Sequence, residues 1–287
     1  MPETVHCSDC GDAFDSSYSG VYCYSCGWRC DDCSDCCCDS GDSRIHPYDY
    51  RPELFKPKGE YPNEPLLGVE LEVGGNQCVI ADVVDGVDGC ENHLYLKEDG
   101  SISGAEIVTH PMTLAWARGY RFAELLRGLR QSGCYVNDSY GLHVHVSRNA
   151  FRRFGRQSST LQLMWLLFIY RNVNEVERLA RRTSEEWASF RKPSLQALIH
   201  KAKGVDRMDS RYVAVNCVNT RTYELRFFAA TLDESEFFAA IEFADASVRY
   251  VRQLRANDVL RNGALTWDHF AEWVKCNDYP NLLSHLG

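Results

Sequence analysis

An α+β fold is expected for this chain: an antiparallel sheet carrying packed helices, preceded by a small zinc-binding module. Three observations predict it. Three short segments alternate between apolar residues and side chains that bind metals or phosphates. Long apolar-patterned runs of helical length lie between and after them. A burst of CxxC cysteine pairs occupies the first forty residues.

The first segment is Gly68-Val69-Glu70-Leu71-Glu72-Val73-Gly74. In an extended strand successive side chains point to opposite faces, so Val69, Leu71 and Val73 share one face and Glu70 and Glu72 the other. Residues two apart lie roughly 6.5–7 Å from one another, a spacing at which two carboxylates can converge on one ion or hold a closely spaced pair. The second segment, Gly141-Leu142-His143-Val144-His145-Val146-Ser147, sets His143, His145 and Ser147 against Leu142, Val144 and Val146. In the third, Thr222-Tyr223-Glu224-Leu225-Arg226-Phe227-Phe228, Thr222, Glu224 and Arg226 oppose Tyr223, Leu225 and Phe227. A solvent-facing strand commonly shows Lys, Thr, Ser or Gln. Here the outward residues are Glu, His and Arg, and if the three strands share a sheet they line one concave site.

The bulk numbers narrow the function classes. A chain of 287 residues, 45% of them apolar, can build one large core plus an appendage. A net charge of −9 argues against a general nucleic-acid or membrane-surface binder. The N-terminal residues are polar and lack the apolar core of a signal peptide. The apolar run from Leu163 to Tyr170 falls far short of the ~20 residues that span a bilayer. A cytoplasmic protein is expected.

Of fourteen cysteines, nine precede residue 40 and five (Cys78, Cys90, Cys134, Cys217, Cys276) are scattered, where they read as small buried hydrophobes. Cys7-Ser8-Asp9-Cys10 and Cys23-Tyr24-Ser25-Cys26 form a CxxC-x12-CxxC framework. Two thiolates three residues apart on a tight knuckle can both reach one tetrahedral zinc ion at ~2.3 Å. Cys30 and Cys33 open a third pair, and Cys36, Cys37, Cys38 or His46 can complete a second site, for which Cys30, Cys33, Cys36 and Cys38 are the expected ligands. A cross-braced arrangement that exchanges the pairs is the alternative. The first fifty residues hold ten acidic and two basic residues, a surface that repels phosphate backbones and suits a structural or protein-docking knuckle.

This reading gives a zinc module at 1–43, a linker at 44–65 and a catalytic domain at 66–287. Five of the nine prolines fall in the linker, which favours extended, semi-rigid backbone, with Tyr48, Tyr50, Phe55 and Tyr61 available to pin it down. After the Glu70/Glu72 strand, residues 82–90 read as a Gly- and Asp-rich loop. Asp99-Gly100-Ser101 marks a turn before a strand at 105–109 that carries Glu106. Thr113 caps one helix running past Leu129, and a single long helix is expected over 159–182. Alternation resumes over 211–219 and leads through a polar hairpin containing Asn216 and Arg221 into the Glu224 strand. Helices around 234–255 and 266–276 complete the chain.

The ordered motifs GVELEV, EDGS followed by EIVTHP, GLHVHVS, and RYVAVN with TYELRFF resemble the amidoligase family, within the glutamine synthetase and glutamate–cysteine ligase superfamily of carboxylate–amine ligases. The likeness runs over roughly residues 66–231. It implies a curved antiparallel sheet of glutamine-synthetase-like type with helices on its convex face, the concave face holding divalent ions against ATP phosphates. By motif, Glu70, His143 and Glu224 are similar to ligands of the metal nearer the ATP phosphates. Glu72, Glu106 and Asp99 are similar to ligands of the metal nearer the acceptor carboxylate, with Asp99 and Glu106 also counted as catalytic. Arg226 resembles the arginine that steadies the transferring phosphoryl group, and His145, Asn216 and Arg221 are placed toward the nucleotide.

The bare residues suit that chemistry. Carboxylate-rich pockets favour Mg²⁺ or Mn²⁺, which keep waters and bind phosphate oxygens. The resemblance implies ATP, a divalent ion and structural Zn²⁺ as cofactors, with small-molecule or peptide acids and amines as substrates and a protein partner reachable through the zinc module. There is no G-x-x-x-x-G-K-[ST] and no G-x-G-x-x-G, so P-loop and Rossmann nucleotide sites are unsupported. Two rivals differ in product: a guanidino-kinase-like phosphotransferase on the same sheet, and a zinc-dependent adaptor with no turnover.

Overall fold

The computed structural model describes residues 4–8, 10–23, 27–33, 42–60, 64–89, 91–183, 188–191, 193–204 and 213–286. The expected ligands Cys26, Cys36 and Cys38, with Cys37 and the side chain of Cys23, lie outside them.

The N-terminal module is two antiparallel ribbons. In one, β1 (Thr4–His6) pairs with β2 (Ala13–Asp15); in the other, β3 (Val21–Cys23) pairs with β4 (Gly27–Arg29). The remainder is built on one seven-stranded sheet. Its members are β5 (Ile45–His46), β6 (Leu67–Gly74), β7 (Leu94–Lys97), β8 (Gly104–Thr109), β9 (Gly141–Ser147), β12 (Val215–Asn216) and β13 (Thr222–Ala229), in the order β12-β13-β9-β6-β8-β7-β5. The two-residue strands β10 (Arg152–Arg153) and β11 (Arg156–Gln157) form a separate hairpin after β9. Every pairing in the large sheet is antiparallel except β5 with β7, so the fold is α+β with a mostly antiparallel sheet.

The alternation expected from the sequence fixes which face is buried. Val69, Leu71, Val73, Leu142, Val144, Val146 and Leu225 are all in the core. Burying one such side chain contributes about 1.5–3 kcal/mol, and a one-residue slip would turn the whole set outward. β6 and β8 approach closely at Gly104, where a Cβ would stand only 2.0 Å from the Val73 carbonyl oxygen.

Helices cover the apolar face. The central one, α7 (Glu234–Gln253), packs on β6 and β9 and is buried along most of its length. Trp165 of α4 (Ser159–Arg171) donates its indole N–H to Ser247 of α7 at 2.8 Å. Phe168, Phe243, Trp267 and Phe270 close the space between α4, α7 and α9 (Trp267–Lys275). Among the described residues, no helix is long and apolar enough to cross a membrane.

Several expectations give way to a different local structure. Residues 77–88, largely expected as loop, form the helix α1 (Gln77–Asp88), capped by Asn76, whose Oδ1 accepts from Val79 N at 3.2 Å. Ile80, Ala81 and Val84 press it onto the sheet, and this burial outweighs the helix-weakening Gly86 and aspartates. The expected long helix is two, α4 and α5 (Val173–Ala180), because Asn172 turns its amide onto Phe168 O at 2.7 Å and Leu265 O at 2.9 Å. The helix capped by Thr113 also divides, into α2 (Leu114–Gly119) and α3 (Phe122–Gln131). α6 (Leu195–Lys203), α8 (Ala256–Asn262) and α10 (Pro280–His285) were not read from the sequence. Cys78 is disulfide-bonded, not an isolated buried thiol.

The described part of the proline-rich stretch is fastened to the sheet edge. Ile45–His46 supplies β5, Tyr50 stacks on His46 at 3.6 Å between ring centroids, and Lys58 N donates to Pro111 O at 2.8 Å. Arg44 reaches Asp82 and Asp85 on α1 at 2.9 and 2.7 Å.

Asp88 joins α1 to β7. Its Oδ2 accepts from the N–H groups of His93 at 2.8 Å and Leu94 at 2.7 Å, and its Oδ1 meets the His93 ring. Burial alone would raise its pKa, but the His93 ring and those two N–H groups outweigh burial and hold it below the ordinary carboxylate value. Its contribution is therefore present above the ordinary carboxylate range and is lost as the pH falls through the lowered value. Asp88→Asn should destabilise the protein by about 1–3 kcal/mol at neutral pH. In urea melts the gap from wild type should narrow toward acid; a gap independent of pH would contradict this account of Asp88.

Candidate metal centre and active site

The strand registers stack the polar residues in three rows on the face opposite the helices. Asn216, Glu224, His145 and Gly68 oppose one another across β12, β13, β9 and β6. His143, Glu70, Val108 and Tyr95 form the next row across β9, β6, β8 and β7. Glu72, Glu106 and Lys97 form the third. Glu72, Glu106, His143 and Glu224 are all buried.

The side chains converge. His145 Nε2 lies 3.1 Å from Glu70 Oε1; His143 Nδ1 lies 3.5 Å from Glu70 Oε2 and 3.8 Å from Glu224 Oε1; His143 Nε2 lies 3.6 Å from Glu72 Oε1. Three groups have ligand atoms within 4.8 Å of one another: Glu70 with His145 and Glu224, Glu70 with Glu106 and His143, and Glu72 with Asp99 and Glu106. His143 Nδ1 and His145 Nε2 are buried without a hydrogen-bond partner although carboxylates surround them. Imidazole nitrogens and carboxylates that face one another without hydrogen-bond alignment fit ligands disposed around cations. The oxygen-rich donor set suits Mg²⁺ or Mn²⁺.

The crowding shifts the titration of three of these groups. Burial, joined by the charge of Glu70, pushes the Glu106 carboxyl well above its ordinary value, with Lys97 opposing. Burial would also raise Glu70, but His145 and His143 outweigh it and hold that carboxyl well below the usual range. Burial lowers His145, yet the charges of Glu70, Glu224 and Glu106 bring it up to about 9. Glu106 is thus biased toward its neutral form and His145 toward its charged form, while Glu70 is biased toward the carboxylate.

The remaining expected residues are placed as follows. Asn216 donates from Nδ2 to Glu224 Oε2 at 2.8 Å and accepts at Oδ1 from Val218 N at 3.0 Å, so it orients a candidate ligand. Arg226 ion-pairs with Glu224. Asp99 reaches the third group from the turn after β7, its Oδ1 held by Ser101 N and Oγ at 2.8 and 2.6 Å. Arg221 is exposed at the turn before β13. Lys97, which sequence reading passed over, stands 3.5 Å from Glu106 Oε2 and 5.5 Å above the Tyr48 ring. Its place two residues from both Tyr95 and Asp99 was the available signal.

In the N-terminal module the structure gathers Cys7, Cys10, Cys30 and Cys33, whose sulfurs lie within 4.8 Å of one another, with Cys10 Sγ 3.7 Å from Cys30 Sγ. Cys7 and Cys10 thus face Cys30 and Cys33, the arrangement of the cross-braced alternative, while Cys26 and the side chain of Cys23, the partners first expected, lie outside the described residues. The cause is the pairing of ribbons: Ser8 N donates to Trp28 O at 2.8 Å and lays the first knuckle against the end of β4, where Cys30 begins the second. Four thiols at such distances, two on each of two tight turns, fit tetrahedral zinc.

Two measurements check these sites. Glu70 belongs to two of the three groups and Asp99 to one, so titration with Mn²⁺ alone should show Glu70→Gln weakening binding at least about tenfold and more than Asp99→Asn does. Equal effects would contradict a shared ligand. Metal analysis of Cys7→Ser combined with Cys30→Ser should show one zinc fewer than wild type; a loss of two would restore the sequential pairing.

Comparison with known proteins adds three findings. No match was found among curated proteins. Among solved structures, a chain from the crystal structure of the complex between prokaryotic ubiquitin-like protein Pup and its ligase PafA is similar, with 12% identity and a TM-score of 0.38 over 78% of this chain. This chain spans 62% of the length of that one. The family described as "Putative amidoligase enzyme" matches residues 85–248, more than half of the chain, including Asp99, Glu106, His143, His145, Glu224 and Arg226. By that match this chain belongs to the amidoligase family so described.

Proposed function

We propose that this protein is an ATP-dependent carboxylate–amine ligase that forms an amide through an acyl phosphate, releasing ADP and phosphate. One observation carries the reading: four glutamates, two histidines and an arginine from four strands of one sheet share a single face. Family membership supports it. Glu70, Glu224, His143 and His145 would hold the divalent ion nearer the ATP phosphates, and Glu72, Glu106 and Asp99 the one nearer the acid. Bound Mg²⁺ or Mn²⁺ supplies charge neutralisation on phosphoryl and carbonyl oxygens.

A carboxylate is a poor acyl donor. Its oxygen attacks the γ-phosphorus of ATP and ADP leaves; the amine nitrogen then attacks the acyl carbon, phosphate leaves, and the amine gives up a proton. Both steps build charge on oxygen, which a fixed guanidinium such as Arg226 stabilises where it forms. Asn216 keeps Glu224 turned toward the cluster, and Arg226 is held beside it. Residues 66–287 form the catalytic unit in this reading, residues 1–43 a zinc knuckle whose acidic surface docks a protein partner, and the setting is cytoplasmic. Substrates are small-molecule or peptide acids and amines.

The test is ADP release in the presence of Mg²⁺ against pooled acids and amines, with mass spectrometry of the product. A product lighter than its two substrates by one water is expected. A product heavier than one substrate by a phosphoryl group would replace the ligase by a phosphotransferase, and partner binding without any nucleotide turnover would leave an adaptor. Glu70→Gln should lower turnover by at least about 100-fold, as loss of a charge-stabilising group in an active site does.

A further inference from the structure

Arg182 enters the polar face from outside the sheet. Arg181, the C-cap of α5, adopts a left-handed conformation (φ 55°, ψ 22°) at the point where the chain leaves the helix. Arg182 follows it, is only 8% exposed, and donates from Nη2 to Ser139 O at 2.9 Å. Its Nη1 stands 2.7 Å from the place a Gly141 Cβ would occupy, and His143 Nε2 stands 2.6 Å from that same place. The absent side chain at Gly141 is thus what lets guanidinium and imidazole close on one point.

Its charged neighbours are Glu72 and Arg226, yet among the described residues no carboxylate lies within ion-pair distance. Its Nε is buried with no hydrogen-bond partner, and so is the Nε of Arg226. A buried guanidinium without an anion is expensive, whereas a tetrahedral oxyanion offers forked, charge-assisted acceptors to two arginines at once.

From this geometry we propose that Arg182 is a second phosphoryl-binding residue, closing with Arg226 around the phosphoryl group in transfer. The inference rests on the ligase reading and adds a residue supplied by the helical layer, not by the sheet. It makes closure of the site depend on the α5 turn as well as on the strands.

The experiment is calorimetric titration of the full chain with Mg²⁺–ADP and with the Mg²⁺ complex of a non-hydrolysable ATP analogue, for wild type, Arg182→Ala and Arg182→Lys, alongside thermal melts. Wild type should bind the analogue more tightly than ADP. Arg182→Ala should weaken the analogue about 10- to 100-fold, the scale of a lost charged hydrogen bond, and leave ADP within about twofold. Arg182→Lys, which keeps the charge but loses the fork, should fall between the two with an unchanged melting temperature. If the variants retain the full preference for the analogue, the role of Arg182 is refuted while nucleotide binding stands. If both ligands weaken equally and the melting temperature drops, Arg182 only ties the turn to Ser139, and the proposal fails. If wild type binds neither ligand, the ligase reading falls and this proposal falls with it.

Discussion

Like charges are held side by side here by apolar packing on the other side of the same strands. Glu70, Glu72, Glu106 and Glu224 lie on one face of the sheet, on β6, β8 and β13, where mutual repulsion and desolvation both oppose their approach. Each strand, however, buries Val, Leu or Ile on its other face: Val69, Leu71 and Val73 on β6, Ile107 on β8, Leu142, Val144 and Val146 on β9, Leu225 on β13. At about 1.5–3 kcal/mol for each buried side chain, the register is over-determined, and the polar rows must follow it. The site is a consequence of the core read from its reverse side.

That coupling explains why the site was legible in the sequence and parts of the fold were not. A period of two reports both faces at once, so Glu70, Glu72, His143, His145 and Glu224 could be grouped without knowing the strand order. Asn216 was legible as a polar residue near the site, but its work of orienting Glu224 depends on a two-residue strand that only tertiary pairing defines. Helix α1 was hidden because its glycine and aspartates mimic a loop, and packing on the sheet decided the matter. The break at Asn172 depends on Leu265, ninety-three residues away, and no local pattern reports such a contact. Arg182 sits past a helix end with no periodicity to mark it. The cysteine spacing announced a metal knuckle, but which pairs join depends on how the two ribbons lie against each other.

The N-terminal segment contributes more than spacing. Through β5 it extends the sheet, and Tyr48 and Tyr50 stand against Lys97 and Tyr95 at the edge of the polar face. The wall near Glu106 is therefore partly made by residues before the catalytic strands. Strands fix the ligands by register and bring Lys97 at the end of β7, while the segment after α5 brings Arg182 from the other side.

Anomalous diffraction from crystals of the full chain soaked in Mn²⁺ would test the central claim most directly. The account predicts two peaks on the polar face, one among Glu70, His145 and Glu224 and the other among Glu72, Asp99 and Glu106. Peaks confined to other surfaces, or an empty face at saturating Mn²⁺, would contradict it.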